Sequence, residues 1–384
     1  MIQNKTIFIA HNWSDNSVSF QSKALALDFS KKNKVFFLNA KKNGLAETSV
    51  NNNLTVLQWP GKRPTGIKDL LFAIKLMRKN NPDIIITNFA ANDIMLFVSW
   101  MLGVRYRVCY FHTMVEQYIA DNGKLPIQQK INIFRKSFVF KMATHMLPCS
   151  SAAKKDLVHY YKVKESRSFV FPNALPDTNT RNTSMNKKIG FLGRLDHSKG
   201  ADILIEAFAI LLKEIPDAVL EIAGSGSRED ELKKKAASLN ICDKIIFKGV
   251  IPYSGVNQFL SMLNFLVVPS RTDNLPTVAL EALSVGTPVI GSNAGGIPDI
   301  IIDGHNGLLF EPQNAEDLSK KMIRLLNNKD DRDLMAVNAR KIFKEKYCID
   351  KLPERFEALL ESNKKQITKD KQEINSKFQK AGSV

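Results

Sequence analysis

Short runs of β-branched and aromatic residues alternate with helical patterns along this chain, and the whole series occurs twice. Runs such as IFIA at 7–10 are apolar at every position, which is typical of strands buried on both faces of a sheet. Strands that alternate with helices form right-handed βαβ units and parallel sheets. The predicted strands are 5–11, 34–40, 54–60, 83–89, 106–112, 145–150 and 168–173 in the first half, and 188–195, 218–224, 244–249, 265–270, 287–292 and 306–312 in the second.

A polar, turn-rich segment at 174–188 separates the two series and is the best candidate for a linker. We therefore predict an α/β protein with two Rossmann-like, doubly wound parallel-sheet domains that face a shared cleft. The N-terminal domain is expected at 1–178 and the C-terminal domain at 186–345. A helix over 346–363 is expected to pack back toward the N-terminal domain, and a polar tail follows at 364–384.

The positive charge is concentrated in the first half of the chain. The formal net charge is +17, and residues 1–183 carry 26 Lys and Arg against 11 Asp and Glu, a net charge of +15. A basic half is expected to face something anionic, such as a bilayer surface, an acidic substrate or nucleic acid; the alternative is a generally Lys-rich composition. Because aromatic and basic residues do not interleave and no nucleic-acid-binding motif is found, nucleic acid is not expected as a partner.

Other features of the composition bear on localisation. The sequence has no run of about 18 uncharged apolar residues, so no transmembrane helix is expected. The N-terminal segment lacks the apolar core and cleavage site of a signal peptide. The four cysteines are far apart, which is typical of reduced core cysteines rather than of a metal site. We therefore expect a cytoplasmic protein that can associate with the inner face of the cytoplasmic membrane.

The segment 124–145 is the candidate for contact with a membrane. Helical spacing places Ile131, Phe134, Phe138 and Met142 near one face, with basic residues around them. A basic amphipathic helix of this kind can rest on an anionic bilayer. The alternative is an ordinary helix whose apolar face packs on the sheet.

The stretch RTDNLPTVALEALSVGTPVI, at 271–290, places a carboxylate in an apolar run. Asp273 belongs to a loop after a predicted strand, Pro276 suits a first helical position, and Glu281 then falls in the second turn of that helix. A charge among Val, Leu and Ala is costly unless it has a partner. Glu281 is therefore either one half of a structural ion pair or a group that accepts hydrogen bonds from a ligand, such as the vicinal hydroxyls of a ribose.

Two cations follow the first strand of the second half. Arg194 and Lys199 occur in FLGRLDHSKG, at the carboxyl end of that strand, which is a natural place to bind a phosphate or diphosphate. The alternative is a pair of solvated surface charges near a turn. After the next strand, Gly224 and Gly226 permit close approach of the backbone to a ligand, although the spacing is not that of a dinucleotide fingerprint.

The segments GRLDHSKG at 193–200, DNLPTVALEALSVGTPVIGSNAGGIPDII at 273–301 and DGHNGLLFEPQNAEDLS at 303–319 resemble glycosyltransferase family 4. Enzymes of that family are retaining, use nucleotide-sugar donors and have the GT-B fold. The resemblance is specific over 188–326 and extends more weakly, in architecture, over about 1–360.

The resemblance implies a role for each of the residues at these positions. Arg194 and Lys199 would hold the donor diphosphate, Glu281 would contact the ribose, and Asp273 would contact the donor sugar at a position where the family usually has Glu. Loop amides near these residues would reach the sugar and phosphates, although Pro276 has none to give. The donor-binding residues are thus predicted to be Gly193, Arg194, Lys199, Gly224, Asp273, Asn274, Leu275, Pro276, Thr277 and Glu281.

The resemblance is weaker in the first half. His112, after a predicted strand, corresponds to a His that the family places near the reacting sugar; the alternative is an ordinary loop His. We therefore predict His112, Asp273, Arg194 and Lys199 as catalytic residues. The family's Gly-Gly loop after the first strand is missing, and Asn12, Ser14 and Ser17 offer side-chain donors for the acceptor side instead.

The expected function is that of a retaining glycosyltransferase. It would move a sugar from a nucleotide-diphosphate donor, a UDP- or GDP-sugar, to a hydroxyl of a lipid-linked glycan in surface polysaccharide biosynthesis. No resident cofactor and no metal are expected, because Arg194, Lys199 and helix dipoles can stabilise a departing diphosphate. The alternatives are a nucleotide-sugar epimerase of the same fold and a non-catalytic protein that binds an anionic glycan or nucleic acid.

Overall fold

The computed structural model shows two α/β domains, each built on one sheet. It describes residues 2–13, 17–39, 47–61, 65–184 and 187–361. Ser14, Asn186 at the predicted domain boundary and the predicted polar tail at 364–384 lie outside these ranges. The prediction of two parallel-sheet α/β domains is confirmed.

The described part of the N-terminal sheet has seven strands in the order β3-β4-β2-β1-β5-β6-β7. Its strands pair in parallel, except that β3 is antiparallel to β4. The strands are β1 Thr6–His11, β2 Lys34–Asn39, β3 Glu47–Asn51, β4 Leu54–Gln58, β5 Ile84–Thr87, β6 Tyr106–Phe111 and β7 His145–Pro148.

Alternate residues of these strands pack into two different hydrophobic cores, one on each face of the sheet. Along β1, Phe8 and Ala10 join the core beneath one set of helices, whereas Ile7 and Ile9 face the other side. The first face is covered by α2, α3 and α5, and the second by α1 and a helix over 352–361. The helices of this half are α1 Ser17–Phe29, α2 Ile67–Asn80, α3 Asn92–Met101, α4 Val115–Asn122, α5 Ile127–Phe140 and α6 Ser151–Tyr161.

The C-terminal sheet is parallel throughout its described strands, in the order β10-β9-β8-β11-β12-β13. The strands are β8 Lys188–Leu192, β9 Val219–Ala223, β10 Ile245–Gly249, β11 Phe265–Val268, β12 Val289–Ser292 and β13 Gly307–Phe310. The helices are α7 Ala201–Leu211, α8 Glu229–Ser238, α9 Tyr253–Ser261, α10 Thr277–Val285, α11 Ile297–Ile300, α12 Ala315–Asn327 and α13 Lys329–Ile342, and a π-helical turn follows at Phe343–Tyr347.

Three details differ from the sequence prediction. The segment 168–173 is not a strand: Phe169 and Phe171 each donate a backbone hydrogen bond to the edge of β7, but Pro172 has no amide to continue the ladder. The edge strand β3 was missed because its sequence, ETSVN, is polar. The helix predicted over 124–145 ends at Phe140, so Met142 turns inward and packs partly buried against the N-terminal core.

The end of the described chain packs on the N-terminal domain. Leu352, Phe356 and Leu360, spaced four residues apart on the helix over 352–361, are buried in the core beside α1. The Phe356 ring lies 5.7 Å from that of Phe29, and 6.0 Å from that of Phe171, each with an edge-to-face geometry. The helix over 352–361 therefore belongs to the same domain as β1.

The two domains meet through the carboxyl ends of their sheets. The Ser150 hydroxyl, after β7, donates to Oδ1 of Asn274, after β11, over 3.0 Å. The Ser198 amide, after β8, donates to Oδ1 of Asp121 in α4 over 3.2 Å. These contacts bring the loops of the two domains to one cleft, the place where ligands bind in folds of this class.

Candidate active site

A cavity of about 290 Å³ lies at the carboxyl ends of β8 and β11. Seven of the predicted donor-site residues line it: Gly193, Arg194, Lys199, Asp273, Leu275, Pro276 and Thr277. Gly224, Asn274 and Glu281 lie outside its lining. The fold therefore brings together residues of two sequence segments, 193–199 and 273–277, that are far apart along the chain.

Lys199 and Asp273 form an ion pair in the wall of this cavity. The Nζ atom of Lys199 donates to Oδ2 of Asp273 over 2.6 Å, and the two side chains are only 18% and 11% exposed. Lys199 ends a 3₁₀ turn after β8, whereas Asp273 belongs to the loop before α10. Because both side chains are largely shielded from water, each charge offsets the desolvation cost of the other, and the pair holds both side chains in place.

The second predicted cation is placed differently. The Arg194 guanidinium pairs with Asp196 over 2.7 Å, and its side chain is 62% exposed. Of the two cations, Arg194 therefore occupies the open rim of the cavity and Lys199 its inner wall. The alternative of two solvated surface charges is wrong for Lys199.

Glu281 is buried on α10 and has no ion pair with any described residue, which rules out a structural pair within that part of the chain. Burial raises the pKa of Glu281 to about 7. At neutral pH its carboxylate is therefore poised between the protonated and ionised forms, and a ligand that donates hydrogen bonds would favour the ionised one. Helix α10 begins at Thr277, which lines the cavity, so the free amides of its first turn lie beside the cavity.

Substitution of Glu281 by Gln is expected to stabilise the unliganded protein above pH 7. The pKa of Glu281 is about 7 in the folded state, against a reference value of 4.5. The folded state therefore binds more protons between these values, and stability falls as the pH rises through this window. Glu281→Gln should raise the free energy of unfolding by about 3 kcal/mol at pH 8, a gain that vanishes near pH 4.5.

Thermal or urea unfolding at pH 8 and at pH 4.5 would measure this gain. Glu221 provides a matched control, because it is equally buried in the C-terminal domain but has Lys188 and Lys248 within 3.5 and 3.4 Å. Glu221→Gln should destabilise the protein at pH 8, since it leaves two cations without their partner. An equal effect of Glu281→Gln at both pH values would contradict the assigned pKa.

Three glycines allow the loops of the site to pack without side chains. Gly224 has a φ of +129°, and an added Cβ would overlap the carbonyl oxygen of Gly193. Gly295 and Gly296 lie beneath the Asp273–Asn274 loop in the same way, and the Gly296 amide donates to the Asp273 carbonyl over 2.8 Å. Sequence reasoning missed the roles of Gly295 and Gly296, although the NAGG pattern was a signal for close backbone approach.

One residue beside Glu281, Tyr253, was not predicted, and the predicted Asn274 has a buried amide nitrogen that is unpaired among the described residues. Tyr253, at the start of α9, lies near Glu281: burial, together with the Glu281 charge, raises the pKa of Tyr253 to about 12. Its ring is 6.0 Å from that of Phe20, across the cleft. The Asn274 Nδ2 atom is buried without a hydrogen-bond partner among the described residues, while its Oδ1 accepts from Ser150.

His112, predicted to be catalytic, lies just beyond β6 in a stack of rings. Its ring is 4.7 Å from that of Phe89, which in turn is 5.4 Å from that of His11. Burial, with a smaller contribution from His11, lowers the pKa of His112 to about 3, so the ring is neutral at physiological pH. Its Nε2 lies 2.9 Å from Oδ1 of Asn88, which can only accept; Nε2 therefore carries the proton.

The predicted acceptor-side residues are only partly described. Asn12 follows β1 directly, at the same sheet edge as His112, and Ser17 is the first residue of α1. Ser14 lies in one of the gaps between the described ranges. Within the described ranges, no group of three or more His, Cys, Asp or Glu residues could hold a metal ion, and no helix is long and apolar enough to cross a membrane.

Two family models and several individual proteins match this sequence. Residues 177–342 match the model of the glycosyl transferases group 1, and residues 34–178 match that of Glycosyltransferase Family 4. An uncharacterized glycosyltransferase of Haemophilus influenzae is 32% identical over 202 residues, which is 52% of this chain and 56% of that protein. A D-inositol 3-phosphate glycosyltransferase of Corynebacterium kroppenstedtii is 27% identical, over 63% of this chain and 59% of that protein. The chain thus spans about half the length of the curated relatives that it matches.

Solved structures share the fold over nearly the whole chain. Anabaena Alr3699/HepE, solved in complex with UDP, superposes with a TM-score of 0.75 at 18% identity, covering 93% of this chain and 100% of that one. The sucrose-phosphate synthase of Thermosynechococcus elongatus superposes with a TM-score of 0.71 at 17% identity, covering 94% and 99%. The solved structures show a GT-B fold, and the two family models, which together match most of the sequence, show that this chain belongs to the group 1 glycosyltransferases of family 4.

Proposed function

We propose that this protein is a retaining glycosyltransferase that moves a sugar from a nucleotide-diphosphate donor to a hydroxyl of a lipid-linked glycan in surface polysaccharide biosynthesis. The observation that carries the proposal is the Lys199–Asp273 pair in the wall of the cavity between β8 and α10. An ammonium and a carboxylate held side by side there suit a ligand that has an anionic diphosphate next to a ring of hydroxyls.

Each group near the cavity has a task in this reaction. Lys199, Arg194 and the amide end of α10 would stabilise the negative charge that develops on the diphosphate as its bond to the sugar breaks. Asp273 would accept hydrogen bonds from donor-sugar hydroxyls, and Glu281 from the ribose. The bond between the sugar carbon and the diphosphate oxygen breaks, a new bond forms between the same carbon and the acceptor oxygen, and the proton of the acceptor hydroxyl passes to the departing diphosphate. Retention of configuration is implied by the family and is part of the proposal.

The identity of the donor is supported by what is bound to structural neighbours. Anabaena Alr3699/HepE was solved with UDP and with UDP-glucose, and a further neighbour, WaaB, is a lipopolysaccharide outer core galactosyltransferase. These neighbours favour a UDP-sugar over a GDP-sugar for this chain.

Calorimetric titration with UDP, GDP and ADP, each with and without a chelator, would test the proposal. We expect one nucleotide to bind with an affinity that the chelator does not change, and the corresponding nucleotide sugar to react only when an acceptor is added. Conversion of the nucleotide sugar without any acceptor would indicate an epimerase. Failure of all three nucleotides to bind would overturn the donor-site assignment.

We also propose that the α5 side of the N-terminal domain rests on an anionic membrane. Ile127, Ile131, Phe134 and Phe138 form a stripe along α5 and are 53–77% exposed. Phe97, Trp100 and Met101 of the adjacent α3 are also exposed. Monomeric proteins rarely leave so much apolar surface in one region. The net charge of +15 in residues 1–183 makes an anionic bilayer the complementary partner.

Replacement of Phe134 and Phe138 by Ser is expected to weaken binding to vesicles that contain phosphatidylglycerol by about tenfold or more, because two large apolar side chains no longer enter the interface. Co-sedimentation would measure the change. Leu334 and Val337 offer a matched control, since they are 61% and 67% exposed on α13 of the other domain. Equal losses for both double Ser variants would contradict a specific membrane surface on α5.

A further inference from the structure

A second cavity, of about 330 Å³, lies in the N-terminal domain at the carboxyl ends of β5 and β6. His112 and Phe89 belong to its wall, and α5 closes the opposite side with Arg135 and Lys136. The cavity at the carboxyl ends of β8 and β11, to which we assign the donor and which we call the donor cavity, is lined by C-terminal residues alone. The two cavities therefore belong to different domains. The cleft between the domains thus has a candidate site on each side.

Two cationic side chains of helix α5, those of Arg135 and Lys136, line this cavity. Arg135 and Lys136 directly follow the exposed Phe134 in the sequence. Around the helix axis they lie between the exposed apolar stripe on one side and the buried Phe140 on the other. Nη1 of Arg135 pairs with Oδ2 of Asp93 over 3.0 Å, whereas Lys136 has no ion pair with any described residue. The described charges of the cavity wall are therefore two cations and one carboxylate, which leaves one positive charge for a ligand.

A stack of rings forms part of the wall opposite α5. Phe89 has a φ of +50°, a left-handed conformation that is costly for a bulky residue, and its ring is held between those of His11 and His112. Both imidazoles are neutral at physiological pH, since burial lowers the pKa of His11 to about 4 and that of His112 to about 3. The excess positive charge of this cavity therefore comes from α5 and not from the histidines.

We propose that this second cavity binds a phosphate or diphosphate group of the acceptor, with Lys136 as its main cationic partner and Arg135 as its second. Thr113 adds a hydroxyl donor to the same wall. This inference rests on the proposed transferase function and names the chemistry of its acceptor. The group can come from a lipid diphosphate, whose chain would extend along the α5 stripe, or from a soluble sugar phosphate.

Calorimetry on the full chain, with UDP already saturating the donor cavity, would test the proposal. The probes are inorganic diphosphate, farnesyl diphosphate and glucose 6-phosphate. We expect at least one of them to bind, and Lys136→Gln to weaken that binding by about tenfold or more because a charge-assisted hydrogen bond is lost. Lys130→Gln is the matched control, since Lys130 is exposed on the same helix outside the cavity lining.

The outcomes distinguish a lipid from a soluble source of the phosphate group, and they separate failure of the acceptor-site proposal from failure of the donor-site proposal. Tighter binding of farnesyl diphosphate than of inorganic diphosphate identifies a lipid source, and tightest binding of glucose 6-phosphate a soluble one. Failure of all probes to bind, or equal binding by wild type and Lys136→Gln, overturns the acceptor-site proposal. The preceding UDP titration is independent, because Lys136 does not line the donor cavity; a failure there overturns the donor assignment instead.

Discussion

Lys199→Gln is expected to reduce sugar transfer by about two to three orders of magnitude in kcat while the protein remains folded. Loss of one preoriented group that stabilises developing charge typically costs that much. The Lys199 ammonium is held in the cavity wall by Asp273 at 2.6 Å, so it needs little reorganisation when the diphosphate departs. A Gln side chain can still donate to Asp273, which limits the destabilisation that an unpaired buried carboxylate would cause.

The measurement is steady-state turnover of the nucleotide sugar identified by titration, together with thermal unfolding of each variant. Lys248→Gln is the matched control, because Lys248 pairs with the buried Glu221 in the same domain but does not line the cavity. It should lose stability and keep kcat. If Lys199→Gln loses stability in the same way and keeps kcat, the ion pair is structural, and the diphosphate role assigned to Lys199 is wrong.

The sequence could predict that the residues of 193–199 and 273–277 meet at one place, because they lie in short, dense motifs. The order strand, cationic loop and helix at 188–211 determines where Arg194 and Lys199 emerge, since ligands bind at the carboxyl ends of parallel strands. The same local logic placed Glu281 in the second turn of α10. Neither inference needed to know which residues are neighbours across the fold.

Features that depend on distant neighbours could not be predicted in this way. The bond between Ser150 and Asn274 joins residues 124 positions apart, and no local pattern signals it. The cationic cavity beside His112 arises because α5 lies across the ends of β5 and β6. Sequence spacing predicted the apolar stripe of this helix but placed Met142 in it, since the turn into β7 is determined by packing.

Gly224→Ala is expected to lower the affinity for the nucleotide diphosphate by about tenfold or more and to destabilise the C-terminal domain by about 3 kcal/mol. Two costs add at this position. The φ of +129° is strained for any residue with a Cβ, and that Cβ would overlap the carbonyl oxygen of Gly193. Relief of the overlap requires the backbone before Arg194 to move, and Gly193 and Arg194 both line the donor cavity.

Gly249→Ala separates these two costs, because Gly249 has a φ of +65° but no atom within 4 Å of an added Cβ. Gly249 also lies next to Gly224, whose amide donates to its carbonyl over 2.7 Å. The control should therefore show only the cost of strain, about 1–2 kcal/mol, with unchanged nucleotide affinity. If both Ala variants bind the nucleotide like wild type, the close packing of Gly224 on Gly193 is not what shapes the donor cavity. If only Gly224→Ala loses affinity, the position of the Gly193–Arg194 backbone sets how the diphosphate is held.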